Sequence, residues 1–172
     1  RNLGAEVSLD GNELTVKGIS ASFAGLTKLM SQDGTPAEDQ DGNPVLHVGE
    51  SGLLTRMMIP VMAQLSSKPV TFTGEKTLLG RPLTGAKEIM DAFGAGIVSS
   101  VISNTSPVIS SEAEKSSAPV RVPLTVTGPL KAGRAEISGK HGSQLISGLL
   151  MALPFAERNS SLIVHEPKSI PY

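Results

Sequence analysis

The sequence contains no cysteine. That excludes disulfides, thiolate nucleophiles and cysteine-based zinc sites, and it is compatible with a reducing compartment. Tryptophan is absent as well, and aromatics make up 3% of the residues, too few for the stacking platforms with which single-stranded nucleic-acid binders hold bases. Neither sign of charge is in excess: 15 basic against 16 acidic side chains leave a formal net charge of -1. Counterion release therefore favours binding neither to nucleic acid nor to anionic membranes. The longest apolar stretches are broken by Arg56 or by polar residues well short of a membrane span, and no cleavable signal is visible. What is present, 39% hydrophobic residues in a chain of 172, suffices for one globular domain with a real core.

The organisation is repetitive. "SGLLTRMMIPVMAQL" fits a helix behind a serine cap, with Leu54, Met57, Met58, Val61 and Leu65 recurring at helical spacing and Pro60 expected to kink it. After a polar break, the alternating "PVTFTGE" reads as a strand. The same order returns about 90 residues later, as "SQLISGLLMALPF", "AERNS" and "SLIVHE", a period expected of duplicated supersecondary units. "RPLTGAKEIMDAFGAGI" predicts a further helix with Pro82 in its first turn and Gly94 or Gly96 as its stop. "RNLGAEV" matches only the tail of that helix, and each copy leads to a strand ending in glycine, "ELTVKG" and "PLTVTG". The alignment implies a single domain over residues 1–172, with one complete unit of strand, helix, strand, helix, strand, strand at roughly 46–128 and partial units at 1–45 and 129–172. The chain is then expected to be a piece of a larger repeat protein, with the polar stretches from Ser31 to Pro44 and from Ser103 to Pro119 as surface loops.

Several short motifs carry no chemistry. In "DQDGNPVLHVGE", Asp39, Asp41 and Glu50 fall at positions one, three and twelve of a calcium loop, but Pro44 stands where the sharp turn needs glycine. "GEKTLLGR" lacks the phosphate-loop spacing, and "GAG" lacks the third glycine of a dinucleotide fingerprint. His47, His141 and His165 form no i, i+4 pair, so no metal site is expected.

The helix entrances are more informative. A helix N-terminus carries unpaired N–H groups and the positive end of a dipole, which suits phosphate. Gly142, Ser143 and Gln144 open one apolar helix, in which Leu145, Ile146, Leu149, Leu150 and Leu153 cover most of the surface. "GESG" from Gly49 opens its counterpart. Arg81 precedes Pro82, is therefore held extended, and can offer a planar guanidinium to phosphate or carboxylate. Ser169 precedes Pro171 at a fourth entrance. Taken singly, Ser143 reads as an ordinary N-cap and Arg81 as a surface charge; taken together, the entrances suit a small, multiply charged substrate.

"GESGLLTR", "LLGRPL", "GSQLISGLLMALPFA" and "KSIPY" occur in an order and spacing that resemble the enolpyruvyl transferases, and most closely the branch that acts on shikimate 3-phosphate. The resemblance implies an α+β fold of repeated βαβαββ units about a pseudo-threefold axis, with buried helices and outward sheets. It implies transfer of the carboxyvinyl group of phosphoenolpyruvate to the 5-hydroxyl of shikimate 3-phosphate in the cytoplasm, without metal or organic cofactor. Carried over residue by residue, it assigns Ser143 and Ser169 to the phosphate of shikimate 3-phosphate and Tyr172 to the shikimate side. Gln144 lies between both substrates, and Gly52, Arg81 and Arg56 belong to the phosphoenolpyruvate pocket. Glu50, Leu53, Gly142 and Ile170 depart from the family pattern; Glu50 must turn outward or pair with a cation such as Arg56. The family's basic N-terminal segment and its second domain with the acid/base residues have no counterpart here, so no catalytic residue is expected in this stretch and the isolated chain is expected to be inactive. Two other readings stay open, a relative acting on a UDP-amino sugar and a non-catalytic anion-binding module on the same fold.

Overall fold

A computed structural model of the chain describes residues 3, 5–18, 28–31, 33–99 and 119–167. The elements run β1 (Glu6–Asp10), β2 (Glu13–Lys17), β3 (Leu29–Met30), β4 (Pro36–Ala37), β5 (Val45–His47), α1 (Gly52–Leu65), β6 (Val70–Thr73) and α2 (Thr77–Gly80). They continue with α3 (Ala86–Ala92), β7 (Gly96–Ser99), β8 (Leu124–Thr127), β9 (Arg134–Ser138), α4 (Ser143–Ala152), a 3-10 turn (Leu153–Phe155) and β10 (Ser161–His165).

One four-stranded sheet, ordered β5-β6-β8-β7, organises the centre. β5 and β6 are parallel and joined through α1, whereas β8 runs antiparallel to both β6 and β7. Alternation decides which side of the sheet is covered. Val70 and Phe72 of β6 and Leu124 and Val126 of β8 are buried, paired Val70 with Val126 and Phe72 with Leu124, while Thr71 and Thr125 between them stay half-exposed. On the covered face sit Ile59 and Met62 of α1 and Ile89 and Met90 of α3. Each such side chain contributes about 1.5–3 kcal/mol relative to remaining in water. A second strand, helix, strand unit follows the same rule: β9 and β10 are parallel and α4 connects them.

α1 begins where its sequence requires, because Ser51 accepts the Leu54 N–H at 3.1 Å, and it continues unbroken through Pro60. Its buried face agrees with the expected stripe at Val61 and Leu65 and departs from it nearer the N-terminus. Thr55, Ile59 and Met62 point inward, whereas Leu54 is 41% exposed. α4 is likewise covered on one side only: Leu145, Gly148, Leu149 and Ala152 are buried and Leu150 is 61% exposed.

The helix expected from Pro82 starts four residues later. Arg81 is extended (φ -82°, ψ 125°), Leu83 donates its N–H to the Val120 carbonyl at 2.8 Å, and Gly85 at φ 81° is left-handed, so α3 can begin only at Ala86. Its stop is the expected one. Gly94 at φ 63° donates to Asp91 and Ala95 to Met90, which satisfies the last carbonyls.

The stretch from Ser31 to Pro44 is more ordered than a plain loop. β4 pairs with β3, and a Glu38–Pro44 bridge closes a turn that Asp39 holds from inside. The Asp39 carboxylate accepts from the N–H groups of Asp41 and Asn43 and from the Thr71 hydroxyl at 2.7 Å, so it caps a turn instead of awaiting a cation. Burial raises its pKa, but the hydrogen bonds from Thr71, Asn43 and Asp41 outweigh this and leave it below the usual carboxylate value. A depressed folded-state pKa stabilises above the unfolded value, about 3.9, and the contribution is lost as pH falls through the folded value. Asp39→Asn is therefore expected to unfold at lower urea than wild type at pH 6, with the gap narrowing below about pH 4; an unchanging gap would show that the carboxylate charge is not what holds the turn. The second expected loop, Ser103 to Pro119, lies outside the described residues except for Pro119.

Candidate anion-binding site

Ser51 and Thr55 are occupied with building the entrance of α1, the Thr55 hydroxyl donating to the Ser51 carbonyl at 2.7 Å. Gly52 leaves space above them, and Arg56 fills it. Its Nη1 donates to the Gly52 carbonyl at 3.1 Å, and its Nη2 donates to the Pro82 carbonyl, also at 3.1 Å. A Cβ on Gly52 would stand 2.9 Å from Arg56 Nη1, so glycine here is a condition for seating the guanidinium. Burial lowers the Arg56 pKa and the neighbouring Arg81 charge lowers it further, yet arginine stays charged near neutrality. Two like charges thus face each other across the Gly80–Pro82 turn.

Among the described residues no carboxylate pairs with either guanidinium. Glu50, expected to turn outward or to pair with a cation such as Arg56, is exposed and pairs with a different cation: its Oε1 accepts from Lys76 Nζ at 2.9 Å and its Oε2 from the Thr77 hydroxyl at 3.4 Å. The reason is geometric. Arg56 folds back over Gly52 toward Pro82, while Lys76 and Thr77 open the next turn beside Glu50. The acidic departure from the family pattern is thereby neutralised, and the positive charge of the arginine pair is left uncancelled.

At the other entrance, Gly142 (φ 100°, ψ 166°) takes the cap position, so Ser143 is the first residue of α4 and not its cap. Its exposed hydroxyl and the half-buried Gln144 amide make no hydrogen bond among the described residues. The first N–H groups of the helix have no intrahelical partners either.

Two contacts fix α4 against α1. Gly148 lies so close that an added Cβ would be 2.3 Å from the Met57 carbonyl oxygen and 2.7 Å from Pro60 Cγ, and further along Gln64 Nε2 donates to the Phe155 carbonyl at 2.8 Å. Met57 and Pro60 oppose Gly148 and Gln64 opposes Phe155, so the two helices run in the same direction. Gly52 and Ser143 each sit five residues before the crossing at Met57 and Gly148, about 7.5 Å of helix rise. Both positive helix ends therefore emerge side by side. His141, just before the second entrance, packs against Gly85, where a Cβ would meet its ring at 2.8 Å; this ties the α4 entrance to the segment after Arg81.

The structure thus brings Gly52, Arg56 and Arg81 together and sets Ser143 and Gln144 at the adjacent entrance. Ser169 and Tyr172 lie outside the described residues. No group of His, Asp or Glu able to hold a metal occurs among the described residues, and no helix among them is long and apolar enough to cross a membrane. A shallow depression on the β1–β2 hairpin, lined by Glu6, Val7, Ser8, Thr15 and Lys17, contains none of these groups. One residue that sequence patterning does not single out belongs with them: the Arg121 guanidinium donates to the Gly80 carbonyl, next to Arg81. In "PVRVPL" it reads only as an edge charge on a strand.

Residues 3–172 match the family model described as EPSP synthase (3-phosphoshikimate 1-carboxyvinyltransferase). A 3-phosphoshikimate 1-carboxyvinyltransferase from Brachyspira hyodysenteriae is 32% identical over 138 residues, covering 80% of this chain and 28% of that protein. One from Methanococcoides burtonii is 29% identical over 171 residues, covering 99% and 32%. Among solved structures, EPSP synthase from Acinetobacter baumannii superposes with a TM-score of 0.64 at 22% identity, over 98% of this chain and 32% of that one, a likeness of fold. The chain spans about a third of the length of the curated relatives that it matches.

Proposed function

The chain belongs to the EPSP synthase family, and from that premise we propose that it supplies a substrate-gripping part of an enzyme that transfers a carboxyvinyl group. The donor is phosphoenolpyruvate, the acceptor is the 5-hydroxyl of shikimate 3-phosphate, and inorganic phosphate is released. The observation that carries this reading is the pair Arg56 and Arg81, uncancelled by any described carboxylate, beside two parallel helix entrances.

Each group has a role that its chemistry suits. Arg81, extended and exposed, offers a planar fork to the carboxylate or phosphate of phosphoenolpyruvate. Arg56 adds a second fixed positive charge from the wall behind it. Ser143 and the first N–H groups of α4 hold the phosphate of shikimate 3-phosphate, and Gln144, one residue on, reaches toward both substrates. Ser169 and Tyr172 complete the shikimate side. Proton transfer belongs to a second domain of the full-length enzyme, which closes over these groups, excludes water and so strengthens every electrostatic contact. The same reading arranges the strand and helix units of this chain within a pseudo-threefold domain, in a cytoplasmic protein with no metal or organic cofactor.

A titration tests the binding half of this reading. The 172-residue chain is expected to bind shikimate 3-phosphate in the millimolar range, about 4 kcal/mol, and to catalyse nothing. In NMR spectra the amides of residues 142–145 are expected to shift, and the shifts to shrink in Ser143→Ala. Unmoved amides at Ser143 and Gln144 under saturating ligand would remove the phosphate assignment. Measurable turnover would remove the need for a second domain.

A further inference from the structure

Two cations set side by side repel each other, and the proposed clamp has to hold them together before any anion arrives. The backbone that carries Arg81 is secured for this at four points. Its own N–H donates to the Leu78 carbonyl at 3.1 Å, the Pro82 carbonyl accepts from Arg56 at 3.1 Å, and the Leu83 N–H donates to the Val120 carbonyl at 2.8 Å. The fourth point is the Gly80 carbonyl, which accepts from the Arg121 guanidinium. Arg121 is itself fixed at the head of β8: its N–H donates to the Ser99 hydroxyl at 2.8 Å, and that hydroxyl donates back to the Arg121 carbonyl at 3.1 Å. A continuous path therefore leads from the antiparallel pair β7 and β8 through Arg121 to the peptide group preceding Arg81.

We propose that Arg121 is a positioning residue of the transfer reaction, a tether that holds the Gly80–Arg81 peptide so that the Arg81 guanidinium stays beside Arg56. The proposal rests on reading that pair as the phosphoenolpyruvate subsite. Two features favour a tether over a general stabilising role. A bond from a charged donor to a carbonyl is stronger than a neutral one, and it is made to the peptide adjoining the ligand-binding side chain, not to the core. Furthermore, a bidentate grip tolerates misplacement of only about 0.5 Å or 10–20°. Without the tether, repulsion from Arg56 turns Arg81 away from the site.

The test uses steady-state kinetics of the full-length enzyme with both substrates varied. Arg121→Met keeps the aliphatic stem and removes the donors; it is expected to raise KM for phosphoenolpyruvate about fivefold to tenfold, with KM for shikimate 3-phosphate unchanged. Arg121→Lys, which retains a charged donor, is expected to recover part of that loss. In an Arg81→Met background, Arg121→Met is expected to add less than about twofold, because the residue it positions is gone. An equal effect in both backgrounds would overturn the positioning role, and so would a parallel rise in both KM values together with a lowered melting temperature. If Arg81→Met alone leaves KM for phosphoenolpyruvate normal, the subsite reading itself fails, and the tether's role falls with it.

Discussion

Arg81→Met in the full-length enzyme is expected to raise KM for phosphoenolpyruvate about 100-fold, while KM for shikimate 3-phosphate stays within about twofold. The size follows from what the side chain does not do in the free protein. No described carboxylate neutralises Arg81, and its backbone is held by bonds that do not involve its guanidinium. The five donors are therefore free for ligand, and a bidentate charge-assisted contact of about 3 kcal/mol corresponds to that factor. Methionine replaces the aliphatic stem and removes only the guanidinium of an exposed side chain, so the melting temperature should hardly move. Arg81→Lys keeps the charge but not the fork, and a loss of about tenfold is expected. Equal values for Arg81→Lys and wild type would mean that only charge matters, and that the planar geometry drawn from the extended backbone at Arg81 has no role. A parallel rise in both KM values would mean instead that Arg81 supports the whole cleft.

Much of this site was readable from residue order because it depends on local rules. Ser51 before an apolar periodic run marks a helix start, and the residue before Pro82 is held extended by sterics alone; both expectations hold. Gly94 ends α3 for the same kind of local reason. The expectations that failed depend on partners distant in sequence. Leu83 leaves the helical pattern because its N–H is used by Val120. For Glu50 the expectation of an outward or cation-paired carboxylate holds, and only the identity of the cation, Lys76, 26 residues on, needed the structure. Leu54 is outside and Thr55 inside because α4 packs on α1, and a hydrophobicity pattern cannot anticipate a buried threonine whose hydroxyl is satisfied by its own helix. Arg121 carries no local signal at all, since its role is defined by a carbonyl 41 residues away.

The joint between the two entrances yields the other large effect. Gly148→Val is expected to lower stability by about 3 kcal/mol or more, and Gly148→Ala by about 1–2 kcal/mol, in urea unfolding followed by circular dichroism. Glycine in a helix interior is itself unfavourable by about 1 kcal/mol relative to alanine, so an alanine here would stabilise if space allowed. Space does not allow it. The methyl would lie 2.3 Å from the Met57 carbonyl oxygen, and that oxygen belongs to the backbone of α1, which cannot rotate aside as a side chain could. The helices must separate instead. Because Gly52 and Ser143 lead from this crossing by equal lengths of helix, separation also spreads the arginine pair from the α4 entrance, where the proposed reading seats the phosphate. A misplacement of about 1 Å between reacting groups can reduce the rate about 100-fold. Gly148→Ala in the full-length enzyme is therefore expected to lose kcat by at least tenfold at temperatures where it remains folded, although residue 148 is buried against Met57 and Pro60 and is not among the proposed ligand contacts. A stable Gly148→Ala with normal kcat would show that α4 can slide on α1, and that the common direction of the two helices does not set the spacing of the site.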